Sequence, residues 1–95
     1  MSRLDKIGTT STTVYQSEDK MTVVRYHKTP VVAFDAYEIL LNTGGWRTAT
    51  TKTRMNQASN VFGLGFTVFQ KNYYWYVGFK DETIPFNEDF IRLER

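Results

Sequence analysis

A polar stretch in the middle of the chain, from Gly44 to Gln57, combines side chains that bind phosphate-bearing ligands. It holds three cationic residues and no acidic one. A guanidinium group can bind phosphate or carboxylate through two parallel hydrogen bonds, and an ammonium group adds a compact positive charge. Hydroxyl and amide groups can hydrogen-bond sugars, phosphates or base edges, and an indole ring can stack on a base. We therefore predict a site for nucleic acid or a nucleotide made by Trp46, Arg47, Thr48, Thr50, Lys52, Thr53, Arg54, Asn56 and Gln57.

The charges are segregated along the chain. No acidic residue lies between Glu38 and Asp81, whereas five acidic residues fall within the last fifteen positions. Two interpretations follow from this pattern. The cationic middle binds an anionic ligand, or it pairs with the acidic C-terminal strands. In the second interpretation Trp46 fills the core beneath the glycine turn, the threonines cap a helix, and Arg54 pairs with a C-terminal carboxylate.

The sequence offers little for catalysis. His27 is the only histidine, and the chain contains no cysteine. No His, Asp or Glu cluster has the spacing of a metal site, and the glycines of the polar stretch lack the spacing of a phosphate-binding P-loop. The paired carboxylates fall in predicted turns, where no apolar surroundings would raise a pKa for acid–base catalysis. We therefore predict a non-enzymatic protein without a cofactor or metal.

The polar stretch must be positioned by a turn and a helix. Asn42-Thr43-Gly44-Gly45 is a strong signal for chain reversal. A threonine at 48 or 51 is suited to cap the helix that follows, and Gly63 is suited to end it. Helical spacing places Thr51, Met55, Ala58 and Phe62 on one stripe, which we predict packs on the rest of the domain.

Strand patterns surround this helix. One strand is predicted at Thr12–Gln16, and Met21 begins the main series, with Lys28-Thr29-Pro30 as an interruption. The predicted fold is an α+β domain in the order β-β-β-α-β-β-β-β, with two antiparallel meanders flanking one helix. In this prediction residues 1–20 form a polar N-terminal arm and residues 21–95 form a single globular domain.

The segment after the helix holds the largest aromatic cluster, in a hairpin with a predicted turn at Lys71-Asn72. Strand alternation places Phe66 and Val68 on one face and Phe69 on the other, with Tyr74 and Tyr76 opposite Trp75. One face must line the core. The other either stacks flat ligands or a partner, or is covered by another layer. We predict Phe69, Tyr74 and Tyr76 as an interaction surface.

Length and composition limit the class of protein. A chain of 95 residues can bury one modest core, and no segment approaches the roughly 20 apolar residues that span a bilayer. We expect a protein of the cytoplasm that does not bind membranes. The net charge of +2 is too small to indicate nucleic acid by itself.

Three runs of the sequence carry a resemblance: Leu41–Thr48 (LNTGGWRT), Thr51–Gln57 (TKTRMNQ) and Phe62–Phe66 (FGLGF). Together they resemble a group of small bacteriophage proteins, over about Met21 to Arg95. The resemblance implies a phage accessory protein acting in the cytoplasm of an infected bacterium. It brings no activity, ligand or site residues with it.

Two other functions are compatible with these features. The protein is an interaction module that inhibits a host defence protein through the aromatic hairpin, or it is a minor structural protein of the virion. A homodimer is compatible with each function, and the C-terminal strand is a candidate edge for pairing.

Overall fold

The computed structural model describes Ile7 and residues 11–45 and 47–95 of the chain. Strand and helix signals in these residues are local, so most elements form where the sequence predicts them. The described elements are β1 (Thr12–Gln16), β2 (Thr22–Tyr26), β3 (Thr29–Phe34), β4 (Glu38–Asn42), α1 (Ala49–Phe62), β5 (Phe66–Lys71), β6 (Tyr74–Phe79), β7 (Glu82–Pro85) and β8 (Phe90–Glu94). The predicted α+β class and the order of strands and helix are confirmed, with β1 from the predicted arm as an additional strand ahead of them.

The strands form two antiparallel sheets. The larger sheet has the order β1-β2-β3-β4-β8, and the smaller sheet has the order β5-β6-β7. β1 lies within residues 1–20 and pairs with β2 along its whole length. β8 is indeed an edge strand, as the sequence indicated for the C-terminal strand.

The position of β8 differs from the predicted second meander, because β8 pairs with β4 and not with β7. Two contacts in the preceding loop direct the chain there. Phe86 is 1% exposed, and its amide donates to the Trp75 carbonyl at 2.9 Å. Further along, the Asp89 carbonyl accepts from the Thr43 amide at 2.7 Å, and Asp89 Oδ1 accepts from the Thr43 hydroxyl at 2.9 Å. Burial of Leu93 against β4 then outweighs the preference of consecutive strands for pairing.

Two turns lie elsewhere than predicted. The turn between β2 and β3 is at His27 and Lys28, and Pro30 belongs to β3, where the pairing skips Val31 and so forms a bulge. Proline is tolerated at a bulge because fewer ladder donors are needed there. In the second hairpin the turn is Asn72-Tyr73, both at positive φ, so Tyr73 leaves β6.

The helix packs between the two sheets. Thr51, Met55 and Ala58 of the predicted stripe are fully buried, and Phe62 packs at the edge of the core with its ring 5.0 Å from that of Phe34. Gly63 ends the helix in the left-handed conformation, as predicted. Burial of this stripe fixes the direction of the polar stretch, because the helix packs against β2 and β3 of the larger sheet and against β5 of the smaller sheet.

Candidate functional site

Arg47 is held by the C-terminal part of the chain. Its two terminal nitrogens donate to the carbonyls of Phe86 at 2.8 Å and Asn87 at 2.7 Å, and its Nε lies 3.7 Å from Asp89 Oδ1. The guanidinium also lies over the rings of Trp75 and Phe86. Its polar groups therefore bind the loop that leads into β8. This is the pairing of cationic middle with acidic C-terminus that the second interpretation assigned to Arg54.

Arg54 points into the molecule. It is 9% exposed, donates through Nε to Thr12 Oγ1 at 2.9 Å and through Nη1 to Gln57 Oε1 at 3.3 Å, and lies over the ring of Tyr26. No carboxylate of the described part of the chain forms a salt bridge with it. Gln57 is also buried. Arg54 therefore joins the helix to the larger sheet, and Gln57 accepts a hydrogen bond from it within the helix.

Asn56 binds the outer edge of β5. Its amide donates to the Val68 carbonyl at 2.9 Å and accepts from the Val68 amide at 2.7 Å. One turn later, Ser59 Oγ makes the equivalent pair with the carbonyl and amide of Phe66, at 2.6 and 3.0 Å. These helix side chains supply the hydrogen bonds that a neighbouring strand would supply, and so protect the edge of β5.

The other residues of the predicted site include a helix cap, three half-buried side chains and one residue outside the described part of the chain. Thr48 is the N-cap of α1: its Oγ1 accepts from the Thr51 amide at 3.2 Å. Thr50, Lys52 and Thr53 are half-buried, and the Lys52 ammonium lies 5.9 Å from the centre of the Trp75 ring. Trp46 lies outside the described residues. The eight described residues of the predicted site therefore do not share one open face.

A cleft of about 760 Å³ opens beside the first turn of α1. Clefts of about 300–1,000 Å³ are the usual size for small-molecule ligands. Its wall includes Thr48 and Thr51 of the polar stretch, and seven of its ten described lining residues carry a hydroxyl group. None of them is acidic. The described lining is Ser11, Thr13, Tyr26, His27, Lys28, Thr29, Val31, Thr43, Thr48 and Thr51.

The cationic groups of the cleft come from the β2–β3 turn. His27 and Lys28 are both exposed, and His27 has a φ of 55°. Arg25 donates through Nε to the His27 carbonyl at 3.1 Å, so a guanidinium group also lies beside this turn. From the sequence, His27 was considered as a catalytic group and set aside, and Lys28 was not assigned to a site. The signal available was three cationic or titratable side chains within four positions, ahead of Thr29-Pro30.

Two close approaches shape the cleft. Gly44 packs against the Thr29 side chain so closely that a Cβ atom at residue 44, where φ is 63°, would collide with it. Thr43 is 1% exposed and donates a hydrogen bond to Asp89, which fixes the glycine turn to the loop that leads into β8. On the far side, the rings of Tyr26 and His27 lie 4.3 Å apart between centroids.

The three aromatic residues predicted as an interaction surface lie on one face of the smaller sheet. Phe69 pairs with Tyr76 and Lys71 pairs with Tyr74, so all of these side chains leave the same side. Phe66, Val68, Trp75 and Val77 are buried on the opposite side, as alternation predicts. Tyr74 is 63% exposed.

One ion-pair network lies away from both surfaces. Arg92 on β8 donates to Glu38 on β4 at 2.7 Å and to Glu94 at 3.4 Å. The hydrogen bond and the charge of Glu38 raise the pKa of Arg92 above its ordinary value. Among the described residues there is no group of three His, Cys, Asp or Glu side chains suited to hold a metal ion. Across the same residues, no helix has the length and apolar character needed to cross a membrane.

Comparison with known proteins identifies a family. Residues 2–92 match the family model described as Kyanoviridae Gp96 protein. The match supports the resemblance to small phage proteins and is wider than that resemblance, because it begins at residue 2 and so includes the N-terminal segment. No curated protein and no solved structure matches the chain. Because the matched region spans nearly the whole sequence, the chain belongs to the Kyanoviridae Gp96 protein family of phage proteins.

Proposed function

We propose that this phage protein binds a small phosphate-bearing molecule, most simply a nucleotide, in the cleft beside the first turn of α1. One observation carries the proposal: the cleft combines a ligand-sized volume with Lys28, His27 and five hydroxyl-bearing residues that are at least partly exposed, without a carboxylate among its described lining residues. We propose binding without turnover, because that lining contains one imidazole and no acidic or thiol group to act with it.

The β2–β3 turn would bind the anionic part of the ligand. Lys28 supplies a mobile ammonium group, and Arg25 adds positive charge through its bond to the His27 carbonyl. Because no carboxylate of the described lining competes for these cations, an incoming phosphate would be their counterion. The polar stretch would contribute the hydroxyl group of Thr48, which is exposed, rather than the arginines predicted from the sequence.

Tyr26 would contact the uncharged part of the ligand. The Arg54 guanidinium lies 5.7 Å from the centroid of its ring, and the ring of His27 lies 4.3 Å from it between centroids. Arg54 thereby fixes the orientation of Tyr26 without entering the cleft as a ligand group. A flat base could pack against this aromatic pair while the surrounding hydroxyls bind a sugar. Nucleotides are abundant in the cytoplasm of an infected bacterium, where we propose that the protein acts.

The test is calorimetric titration of the full chain with inorganic phosphate, ribose and linear and cyclic nucleotides. Lys28→Ala is compared with Lys20→Ala, which removes an exposed lysine from the β1–β2 turn. We expect saturable binding of a nucleotide, weakened about tenfold or more by Lys28→Ala and unchanged by Lys20→Ala, since hydrogen bonds to charged groups contribute about 1.5–3 kcal/mol. Absence of binding across the panel, or equal effects of the two substitutions, would refute the proposal.

A further inference from the structure

The outer face of the smaller sheet is made by eight residues that alternate with those facing the core. We call this set the aromatic face: Thr67, Phe69 and Lys71 on β5, Tyr74, Tyr76 and Gly78 on β6, and Thr83 and Pro85 on β7. We propose that the aromatic face is a second binding site, which takes single-stranded nucleic acid by stacking its bases. This site lies on a different sheet from the cleft and does not depend on the function proposed there.

The rings are arranged to receive flat groups. Those of Phe69 and Tyr76 lie 5.7 Å apart between centroids and are 24° from parallel. Gly78 has no side chain, and the Phe69 ring extends over it, 3.7 Å from where a Cβ atom would lie. Tyr74 continues the row and is 63% exposed. A row of accessible rings on a β-sheet offers successive stacking positions, and stacking tolerates any base because every base has a π face.

The charge of the aromatic face selects a polyanion. None of its eight residues is acidic, and Lys71 lies directly across from Tyr74. Lys71 forms no salt bridge within the described residues, so its ammonium group has no carboxylate to displace before it meets a phosphate. A single strand needs both contacts that this face supplies, base stacking and phosphate neutralisation. A duplex is unsuited to the face because its bases already stack on one another.

Fluorescence anisotropy with labelled 12-nucleotide DNA and RNA strands tests the proposal, with a duplex of the same length for comparison. Tyr74→Ala is paired with Tyr37→Ala, which removes a tyrosine of similar exposure beside the larger sheet. We expect saturable binding of the single strands and weaker binding of the duplex. Tyr74→Ala should weaken single-strand binding about 5- to 150-fold, and Tyr37→Ala should leave it unchanged.

A second variant measures the phosphate contact separately. Lys71→Gln should reduce the dependence of log affinity on log salt by about 0.7, the value for one phosphate contact on a single strand, whereas Lys20→Gln should not. Lys28→Ala should leave strand binding intact, which keeps a failure here distinct from a failure of the cleft proposal. Absence of saturable strand binding, or equal affinity of the Tyr74 and Tyr37 variants, would overturn the proposal. So would capture of a host protein that Tyr74→Ala abolishes while no strand binds, because the face would then be a protein-binding surface.

Discussion

The Arg54 side chain donates to Thr12 Oγ1 at 2.9 Å and so ties the helix to the first strand of the larger sheet. These residues are 42 positions apart in the sequence. The bond explains how β1, with four of its five residues exposed, is attached to the core from the inside of the sheet. It also gives a structural role to a residue whose type suggests a ligand contact.

Removal of the hydrogen bond between Arg54 and Thr12 should lower the stability of the protein and reduce the protection of β1 from hydrogen exchange. We expect Arg54→Ala to lower the free energy of unfolding by about 2 kcal/mol, because hydrogen bonds from a charged donor and the packing of the long side chain are both lost. Chemical denaturation measures the stability, and hydrogen exchange measures the protection of β1. Asn60→Ala, at an exposed position of the same helix, is the control. Unchanged exchange in β1 would contradict the assigned role.

The helix side chains that bind the edge of β5 give a second prediction. Ser59→Ala leaves the buried amide and carbonyl of Phe66 without their partner, which should cost about 1–3 kcal/mol of unfolding free energy. The more exposed Asn56→Ala should cost less, because water can reach the freed groups of Val68. Thermal unfolding of both variants, again beside Asn60→Ala, checks the ranking. Equal stability of all three would show that these bonds do not protect the edge.

Substituting each of the two glycines of the turn distinguishes the effect of backbone strain from that of a steric collision. Both have positive φ, so alanine at either position is strained by about 1–2 kcal/mol. A Cβ atom at Gly44 would also collide with Thr29, whereas one at Gly45 meets no atom within 4 Å. We therefore expect Gly44→Ala to be clearly less stable than Gly45→Ala and to weaken ligand binding in the cleft, which Thr29 lines. Denaturation and titration of the pair measure both effects. If the two variants behaved alike, the close packing of Gly44 would be ruled out.

Arg47 should act on stability more than on binding. Its guanidinium binds the carbonyls of Phe86 and Asn87, so Arg47→Ala should cost about 1.5–3 kcal/mol and increase hydrogen exchange in β8. Arg47→Lys should recover part of this, because an ammonium group can reach one carbonyl but lacks the planar fork that binds two. Nucleotide affinity of the folded variants should stay within about twofold of the wild type. A large loss of nucleotide affinity with normal stability would show that Arg47 contacts the ligand, as the sequence predicted.

The outcome for the polar stretch shows where reasoning from the sequence reaches its limit. Its local features are correct: Thr48 caps the helix, Gly63 ends it, and Thr51, Met55 and Ala58 face the core. The direction and partners of Arg47, Arg54 and Asn56 were not predictable, because each side chain bonds to a residue at least 12 positions away in the sequence. The cleft was missed for the same reason, since its walls come from β1, β2, β3, the glycine turn and the helix.

The class of fold, the order of its elements and the alternation of the aromatic hairpin could be predicted from the sequence, because these depend on propensities and periodicities within a few residues of each other. The pairing of β8 with β4 rather than β7 depends on tertiary packing. So do the bonds of Arg47 to the loop before β8 and of Arg54 to β1, and the position of Lys28 and His27 beside the first turn of the helix. Such pairings depend on which distant surfaces can be buried together, and that competition is settled by the whole core rather than by any local run of residues.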